Sequence, residues 1–196
     1  MGATEVEHCF PLNGSVANPG IEGVDNIMNN YRQMLPMITL AGPTMFGPIL
    51  EQFMEFVLSN KNNMVYSILL LLTDGCCSDM GVTKEILVRL SLLPASVIII
   101  GVGNHGNWDD MIELDGDDNL LKDDLGNEIH RDIVNFVELR DAKLRGIIGE
   151  QMLNEIPEQI CGYMRAIAFD LEVAKKDELD DSLQSEHIEE EVQTGN

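Results

Sequence analysis

The residues Tyr66-Ser67-Ile68-Leu69-Leu70-Leu71-Leu72 form an apolar run that ends abruptly at Thr73-Asp74-Gly75. An unbroken run of this length predicts a strand that is buried on both faces, as the strands of parallel sheets are. The carboxylate that follows would then lie at the carboxyl edge of the sheet, where open α/β sheets keep their ligand sites. Asp74 is therefore the first candidate functional residue.

The segments around this run alternate between strand and helix patterns. Thr4 to Phe10 is a predicted short strand, and apolar residues recur at helical spacing from Ile21 to Leu35 and from Phe46 to Val57. After the run, residues 82–92 form a predicted helix, and residues 95–102 form a second buried strand. This alternation predicts an α/β fold with parallel strands and right-handed crossovers.

The second half of the chain continues the alternation. Trp108 to Leu114 is a predicted short helix, Asp115 to His130 a polar, hairpin-like excursion, and Ile133 to Val137 a further strand. Ala142 to Ile167 closes the fold as one or two helices, with Pro157 either kinking one helix or starting the next.

The composition changes after residue 168. Residues 169–196 carry a large excess of acidic residues, including Glu189-Glu190-Glu191, and contain no aromatic residue beyond Phe169. Such a segment buries too little apolar surface to offset its ordering entropy. We therefore predict one domain over residues 1–168 and an acidic, disordered tail over residues 169–196.

The charge of the chain excludes several classes of partner. The formal net charge is -22 over 196 residues, whereas binding to a phosphate backbone needs clustered Lys and Arg. Nucleic acid and a bare anionic membrane are thus not expected partners. No stretch reaches the roughly 18 to 20 apolar residues of a membrane span, and the first residues lack a secretory signal pattern, so we expect a cytoplasmic protein.

The four cysteines are Cys9, Cys76, Cys77 and Cys161. Their spacing fits neither a disulfide framework nor a zinc site. We expect the adjacent Cys76 and Cys77 to be small buried residues in a reducing compartment, with a redox-sensitive pair as the alternative.

The candidate site joins Asp74 to Thr44, because both residues fall in loops at the same predicted sheet edge. A hydroxyl and a carboxylate that converge there would suit a hard divalent cation, Mg²⁺ or Ca²⁺. The alternative is a structural role for each residue. Asp74 would then cap the turn and helix that follow it, and Thr44 would be the N-cap of a helix that begins near Met45.

Two other patterns carry less weight. Gly101-x-Gly103-x-x-Gly106 formally matches the dinucleotide fingerprint, but the helix after it is short and no acidic residue stands at the end of a next strand about twenty positions on. The segment Asp115-Gly116-Asp117-Asp118-Asn119 is better explained as a solvated turn, because the EF-hand positions for Gly and Glu hold Leu120 and Gly126. No nucleophile or phosphate-loop motif is present, and we expect no enzymatic activity.

Beyond the loops of the candidate site, the chain resembles one family in detail. The following segments occur in copines in this order and spacing: Cys9-Phe10-Pro11-Leu12-Asn13-Gly14, Gly20-Ile21-Glu22-Gly23, Gly42-Pro43-Thr44, Leu72-Thr73-Asp74-Gly75 with Ser78-Asp79-Met80, residues 93–103, Leu114-Asp115-Gly116-Asp117-Asp118, and Arg131-Asp132-Ile133-Val134. The resemblance covers roughly residues 6 to 168. The Leu-Asp-Gly-Asp-Asp segment is characteristic of copines rather than of von Willebrand factor A domains at large.

The resemblance implies a three-layer α/β sandwich with a mostly parallel sheet, of the von Willebrand factor A type. It also implies that the first central strand, which carries the Asp-x-Ser-x-Ser ligands in the family, has no counterpart in this chain. Of the ligands of the metal-ion-dependent adhesion site, Thr44 and Asp74 alone remain, so we expect this chain alone to hold Mg²⁺ or Ca²⁺ weakly at most.

The resemblance further implies a function in protein recruitment. The copine A domain is thought to recruit target proteins to membranes, while separate lipid-binding domains sense calcium. This chain has no counterpart of those domains, so we expect it to bind protein targets, to meet the plasma membrane only through partners, and not to bind phospholipid by itself. The alternatives are a relative of the A-domain ubiquitin ligases that lacks the RING finger, and a competitor of full-length copines.

Overall fold

The computed structural model describes residues 6–63, 65–103, 107–116 and 120–169. Ten elements of regular structure, apart from two short 3-10 turns, build the fold. They are α1 (Val24–Met34), α2 (Gly47–Asn60), β1 (Ser67–Thr73), α3 (Met80–Leu90), β2 (Ala95–Gly101), α4 (Asp109–Asp115), β3 (Val134–Glu138), α5 (Leu139–Arg145), α6 (Ile148–Leu153) and α7 (residues 156–169).

The three strands form one parallel sheet in the order β1-β2-β3. In this sheet Leu70 of β1 lies beside Ile98 of β2, and Ile98 lies beside Asn135 of β3. Helices cover the sheet from both sides, which confirms the predicted α/β class and agrees with a von Willebrand factor A-like sandwich. Among the strands that the structure describes, β1 and β3 are the edge strands of the sheet.

The main core lies on one face of the sheet, which we call the inner face. Val97 and Ile99 of β2 pack there against α2, α3 and α4, together with Leu69 and Leu71 of β1. Leu50, Ile86, Leu87, Leu90 and Met111 are among the largest fully buried side chains of this core. Each of these helices buries the side on which most of its apolar residues recur at helical spacing, while Phe56, Leu58, Val82 and Ile112 stay exposed.

The opposite face, which we call the outer face, is covered only in part. Helices α5, α6 and α7 pack over β2 and β3 and bury Ile98, Ile100 and Val137. On β1 the outer-face residues Ile68, Leu70 and Leu72 remain 44%, 47% and 64% exposed. The prediction that this run is buried on both faces is therefore wrong, because no helix within the described residues lies over β1 on that side.

Helix α1 forms where the sequence predicts a helix, but none of its residues is buried. The α-helix ends at Met34, one residue before the end of the predicted helical spacing at Leu35, and Pro36 lies in a short 3-10 turn, Leu35–Met37. The predicted strand over Thr4 to Phe10 is wrong for residues 6–10, which form no strand, and its first residues lie outside the described part.

The C-terminal helical region has more breaks than predicted. The predicted one or two helices over Ala142 to Ile167 are instead α5, α6 and α7. α5 ends at Arg145, and its C-cap Gly146 has a φ of 70°, the left-handed conformation that glycine adopts without strain. Pro157 lies at the start of α7, which confirms the prediction that it starts a helix and not the alternative that it kinks one.

The polar excursion before β3 contains an antiparallel bridge between Lys122 and Glu128, which fits its hairpin-like prediction. The acidic tail predicted to be disordered lies outside the described residues from residue 170 onward. Among the helices that the structure describes, none combines the length and apolar character needed to span a bilayer.

Candidate functional site at the carboxyl edge of the sheet

Two loops meet at the carboxyl end of β1 and carry the predicted site residues. Asp74 follows β1 directly, and the Ser78 N–H farther along its loop donates a hydrogen bond to the Thr44 carbonyl oxygen over 2.8 Å. The side chains of Thr44 and Asp74 are both exposed. The structure thus brings the two loops together at the predicted edge.

Neither residue has the structural role that was its alternative. α2 begins at Gly47 with Phe46 as its N-cap, so Thr44 is not the N-cap of this helix. The N-cap of α3 is Asp79, five residues beyond Asp74. Within the described residues, the Asp74 carboxylate and the Thr44 hydroxyl make no hydrogen bond, so both capping hypotheses are wrong.

Asp79 is the carboxylate that organises this edge. Its two oxygens accept hydrogen bonds from the backbone N–H groups of Phe46, over 2.8 Å, and Gly47, over 2.7 Å. The side chain of Asp79 is nearly buried, and it satisfies the free N–H groups at the start of α2 from a neighbouring loop. Sequence analysis missed this role. An Asp directly before an amphipathic helix is a usual N-cap signal, but here it indicates a cap of α3, the helix that follows Asp79, and not of α2.

The close approach of Asp79 depends on a glycine. A Cβ atom at Gly47 would lie 2.8 Å from Asp79 Oδ2, closer than a real contact allows. On the other side, the Cys77 thiol and the Thr83 hydroxyl each lie 3.5 Å from Asp79 Oδ1. Asp79 is thus surrounded by donors and fixes the spacing of α2 and α3.

The two cysteines in this loop differ in environment. Cys77 is buried, as predicted, whereas Cys76 is exposed, contrary to the prediction. Burial raises the pKa of the Cys77 thiol, and the hydrogen bond with Thr83 opposes that rise in part. A thiol with a raised pKa is a poor nucleophile near neutral pH, which disfavours a redox role for Cys77.

Trp108 closes the edge above the ends of β1 and β2. Its ring packs against Gly75 and Gly101 so closely that a Cβ atom at either glycine would lie 2.9 Å or less from the indole. Phe136 of β3 supports the ring at a centroid distance of 5.5 Å. The first glycine of the dinucleotide-like pattern therefore has a packing role, and Gly106 of that pattern lies outside the described residues.

The oxygen ligands at this edge are too few for a complete cation site. Within the described residues, no group of three or more His, Cys, Asp or Glu side chains converges. Thr44 and Asp74 offer two exposed oxygen ligands, whereas Mg²⁺ takes about six and Ca²⁺ about six to eight. The residues present therefore do not by themselves fit the cation that the fold type implies, and the metal site stays a prediction.

A buried polar cluster at the opposite end of the sheet was not found from the sequence. Arg131 donates to the carbonyl oxygens of Leu93 and Ala95, and its guanidinium lies 5.8 Å from the ring centroid of Tyr66 and 5.4 Å from that of Tyr163. Beside it, Gln159 of α7 bonds Ser96 of β2 over 2.6 Å and Asp132 over 3.1 Å. The cluster ties α7 to the start of β2, which is a structural task.

The described architecture is that of a von Willebrand factor A-like α/β domain: a parallel sheet with helices on both faces and site loops at its carboxyl edge. A family model described as Copine matches residues 1–172 of the chain. The chain belongs to the copine family, which is a family of calcium-dependent phospholipid-binding proteins.

Proposed function

We propose that this chain is a protein-interaction module of the copine type, which recruits target proteins and does not itself bind phospholipid. The observation that carries the proposal is the apolar stripe of α1. We define this stripe by residues that share one side of the helix: Val24, Ile27, Met28, Tyr31 and Leu35. All of them are exposed, although such a stripe normally faces a core.

An uncovered stripe of this kind fits a protein partner. Large exposed apolar patches on soluble domains usually mark interaction sites. The spacing of the stripe residues is that of a helix which contributes anchors to a hydrophobic groove. The stripe also contains Tyr31 and Met28, residue types that are enriched at protein interfaces.

The polar side of α1 argues against lipid as the ligand. Helices that lie on membranes carry several Lys and Arg residues on their polar side. On α1 that side has three asparagines, Asp25 and a single arginine, Arg32. The net charge of -22 adds repulsion from anionic headgroups. The proposal includes a cytoplasmic location, with membrane contact only through partner proteins.

The test is co-precipitation with the full chain, read by quantitative mass spectrometry. Ile27→Asp and Tyr31→Asp put a charge into the stripe, whereas Asn29→Asp puts the same charge on the polar side as a matched control. We expect a set of proteins that the wild type and Asn29→Asp retain and that both stripe variants lose. Equal retention by all four proteins would contradict the proposal.

A lipid assay tests the second half of the proposal. Vesicles that contain phosphatidylserine should not sediment the purified chain with or without Ca²⁺. Calcium-dependent pelleting would contradict the proposal. The alternative function is competition with full-length copines for their partners. It predicts that an added intact copine displaces the retained proteins from this chain.

A further inference from the structure

We propose that a groove between α3 and the polar hairpin before β3 binds a basic segment of a partner protein that carries an apolar anchor. One wall of the groove is formed by residues 85–92, in α3 and the turn after it, and the other by the hairpin, residues 121–130. This groove is separate from the α1 stripe. The inference therefore goes beyond the proposed function and does not depend on it.

The main core holds both walls of the groove in place. Leu87 and Leu90 of α3 are buried in this core, and so is Leu121 at the start of the hairpin. The His130 N–H donates a hydrogen bond to the Ser91 hydroxyl over 3.0 Å, which joins the end of the hairpin to the end of α3. The groove is therefore a fixed part of the fold, and its volume of about 720 Å³ is in the range of ligand pockets.

A leucine stands at the tip of the hairpin, and hydrogen bonds fix the backbone around it. Asp123 Oδ1 accepts from the N–H groups of Leu125, over 3.0 Å, and Asn127, over 2.8 Å. Asp123 Oδ2 accepts from the side-chain amide of Asn127 over 2.7 Å. The side chain of Leu125 is nevertheless 86% exposed. A loop that is already ordered loses little conformational entropy on binding, so Leu125 is well placed to contact a partner.

The groove extends the apolar surface of Leu125 towards α3. Val88, Leu92 and Ile129 also line it, and Leu92 is 55% exposed. Burial of an apolar side chain against these residues removes apolar surface of both partners from water, which favours binding. The lining therefore fits an apolar anchor on the occupant.

The charges around the groove favour a basic occupant. Three exposed carboxylates line the groove or the pocket that adjoins it: Glu85, Asp124 and Glu128. Arg89 and Lys122 pair with Glu85 and Glu128, at 4.0 Å and 2.8 Å. Within the described residues, Asp124 has no ion pair, and it lies next to Leu125 in the chain. A lysine or arginine beside the apolar anchor would supply the missing charge.

The overall charge excludes other occupants. A second copy of this chain carries the same net charge of -22 and is repelled. An anionic membrane surface is repelled for the same reason. The occupant is therefore a short segment of a partner protein in which an apolar side chain adjoins Lys or Arg.

The experiment selects random short peptides displayed on phage against the full chain and measures binding of the enriched peptides by fluorescence anisotropy. We expect enriched peptides to combine an apolar residue with neighbouring Lys or Arg. Leu125→Ser should weaken their binding at least about fivefold. Leu144→Ser, at a similarly exposed leucine of α5, is the matched control and should bind like the wild type.

A second pair of variants tests the charge. Asp124→Asn should weaken binding about twofold to fivefold and reduce its dependence on salt, because an exposed ion pair contributes little and is screened. Asp25→Asn removes the same charge from the polar side of α1 and should leave binding unchanged.

Four outcomes would overturn the proposal. Selection would enrich no peptide or only acidic ones, or Leu125→Ser would bind the enriched peptides like the wild type, which would mean attraction to the overall charge. Ile27→Asp in the α1 stripe would abolish binding, which would assign the peptides to that stripe. Sedimentation velocity would show a dimer of the chain that Leu125→Ser dissociates, which would make a second copy the occupant. Circular dichroism melting verifies that each variant is folded. The proposed function fails separately, in the co-precipitation experiment.

Discussion

β1 and β2 are neighbouring strands of equal length and nearly equal apolar character, yet their environments differ. Every residue of β2 is buried, whereas β1 alternates between exposed positions and positions that are half-buried in its middle and buried at its ends. Leu70 and Ile98 lie side by side on the outer face, at 47% and 2% exposure. The difference shows that burial depends on which elements cover a strand, and not on the composition of the strand.

The largest effect on stability should come from a charge placed at Ile98, and the same charge at Leu70 is the comparison. Ile98→Asp buries a carboxylate among α5, α6 and α7 without a partner, and we expect a loss of more than about 4 kcal/mol, which abolishes cooperative unfolding. Leu70→Asp should cost about 1 kcal/mol or less, since water still reaches the site. Urea titration followed by circular dichroism measures both. Equal losses would mean that β1 is covered in solution.

A second prediction concerns the anchoring of β2 at its start. Arg131→Met removes the charged donor to the carbonyl oxygens of Leu93 and Ala95 together with the guanidinium contacts to the rings of Tyr66 and Tyr163, and we expect a loss of about 3 kcal/mol. Arg145→Met, which removes an exposed ion pair with Asp141, is the control and should cost no more than about 0.5 kcal/mol. Thermal melting compares the two variants, and a similar small shift in both would refute the anchoring role.

The loop after β1 contains two carboxylates, Asp74 and Asp79, and the third prediction compares their effects on stability. Asp79→Ala removes the acceptor for the N–H groups of Phe46 and Gly47, and we expect a loss of about 2 kcal/mol. Asp74→Ala should change stability by less than about 0.5 kcal/mol, because its carboxylate is exposed and makes no hydrogen bond to any described residue. The denaturant concentrations at the midpoints of unfolding measure the loss of stability in both variants. A larger effect at Asp74 would reverse the assignment.

The smallest effect is a pH dependence at Cys77 in the same loop. Its pKa is raised in the folded state, chiefly by burial, so the unfolded chain loses this proton first as the pH rises. The stabilisation is fully present below the unfolded pKa of about 8.5 and is lost as the pH rises towards the folded pKa. Unfolding titrations at about pH 8 and pH 10 should show a smaller decrease in Cys77→Ala than in the wild type. An equal decrease would contradict the assignment.

Only those features of the site that depend on local sequence patterns could be predicted. The end of β1 and the position of Asp74 followed from an apolar run that stops at a carboxylate, and the loop of Thr44 does lie beside the Asp74 loop. Asp79 escaped sequence analysis as a partner of α2 because its contacts join residues 33 positions apart in the chain. Arg131 escaped for the same reason, since its acceptors lie 36 and 38 positions away.

The sequence by itself determined most of the helices and all three strands of the described sheet, their parallel arrangement and the membership in the copine family, because apolar periodicity and ordered motifs are local properties of the chain. The tertiary structure alone decided that, within the part of the chain that the structure describes, β1 is an edge strand with an exposed outer face and α1 buries none of its residues. The reason is physical: an apolar run has the same sequence in the centre of a sheet and at its edge, and burial is set by the neighbours that pack against it.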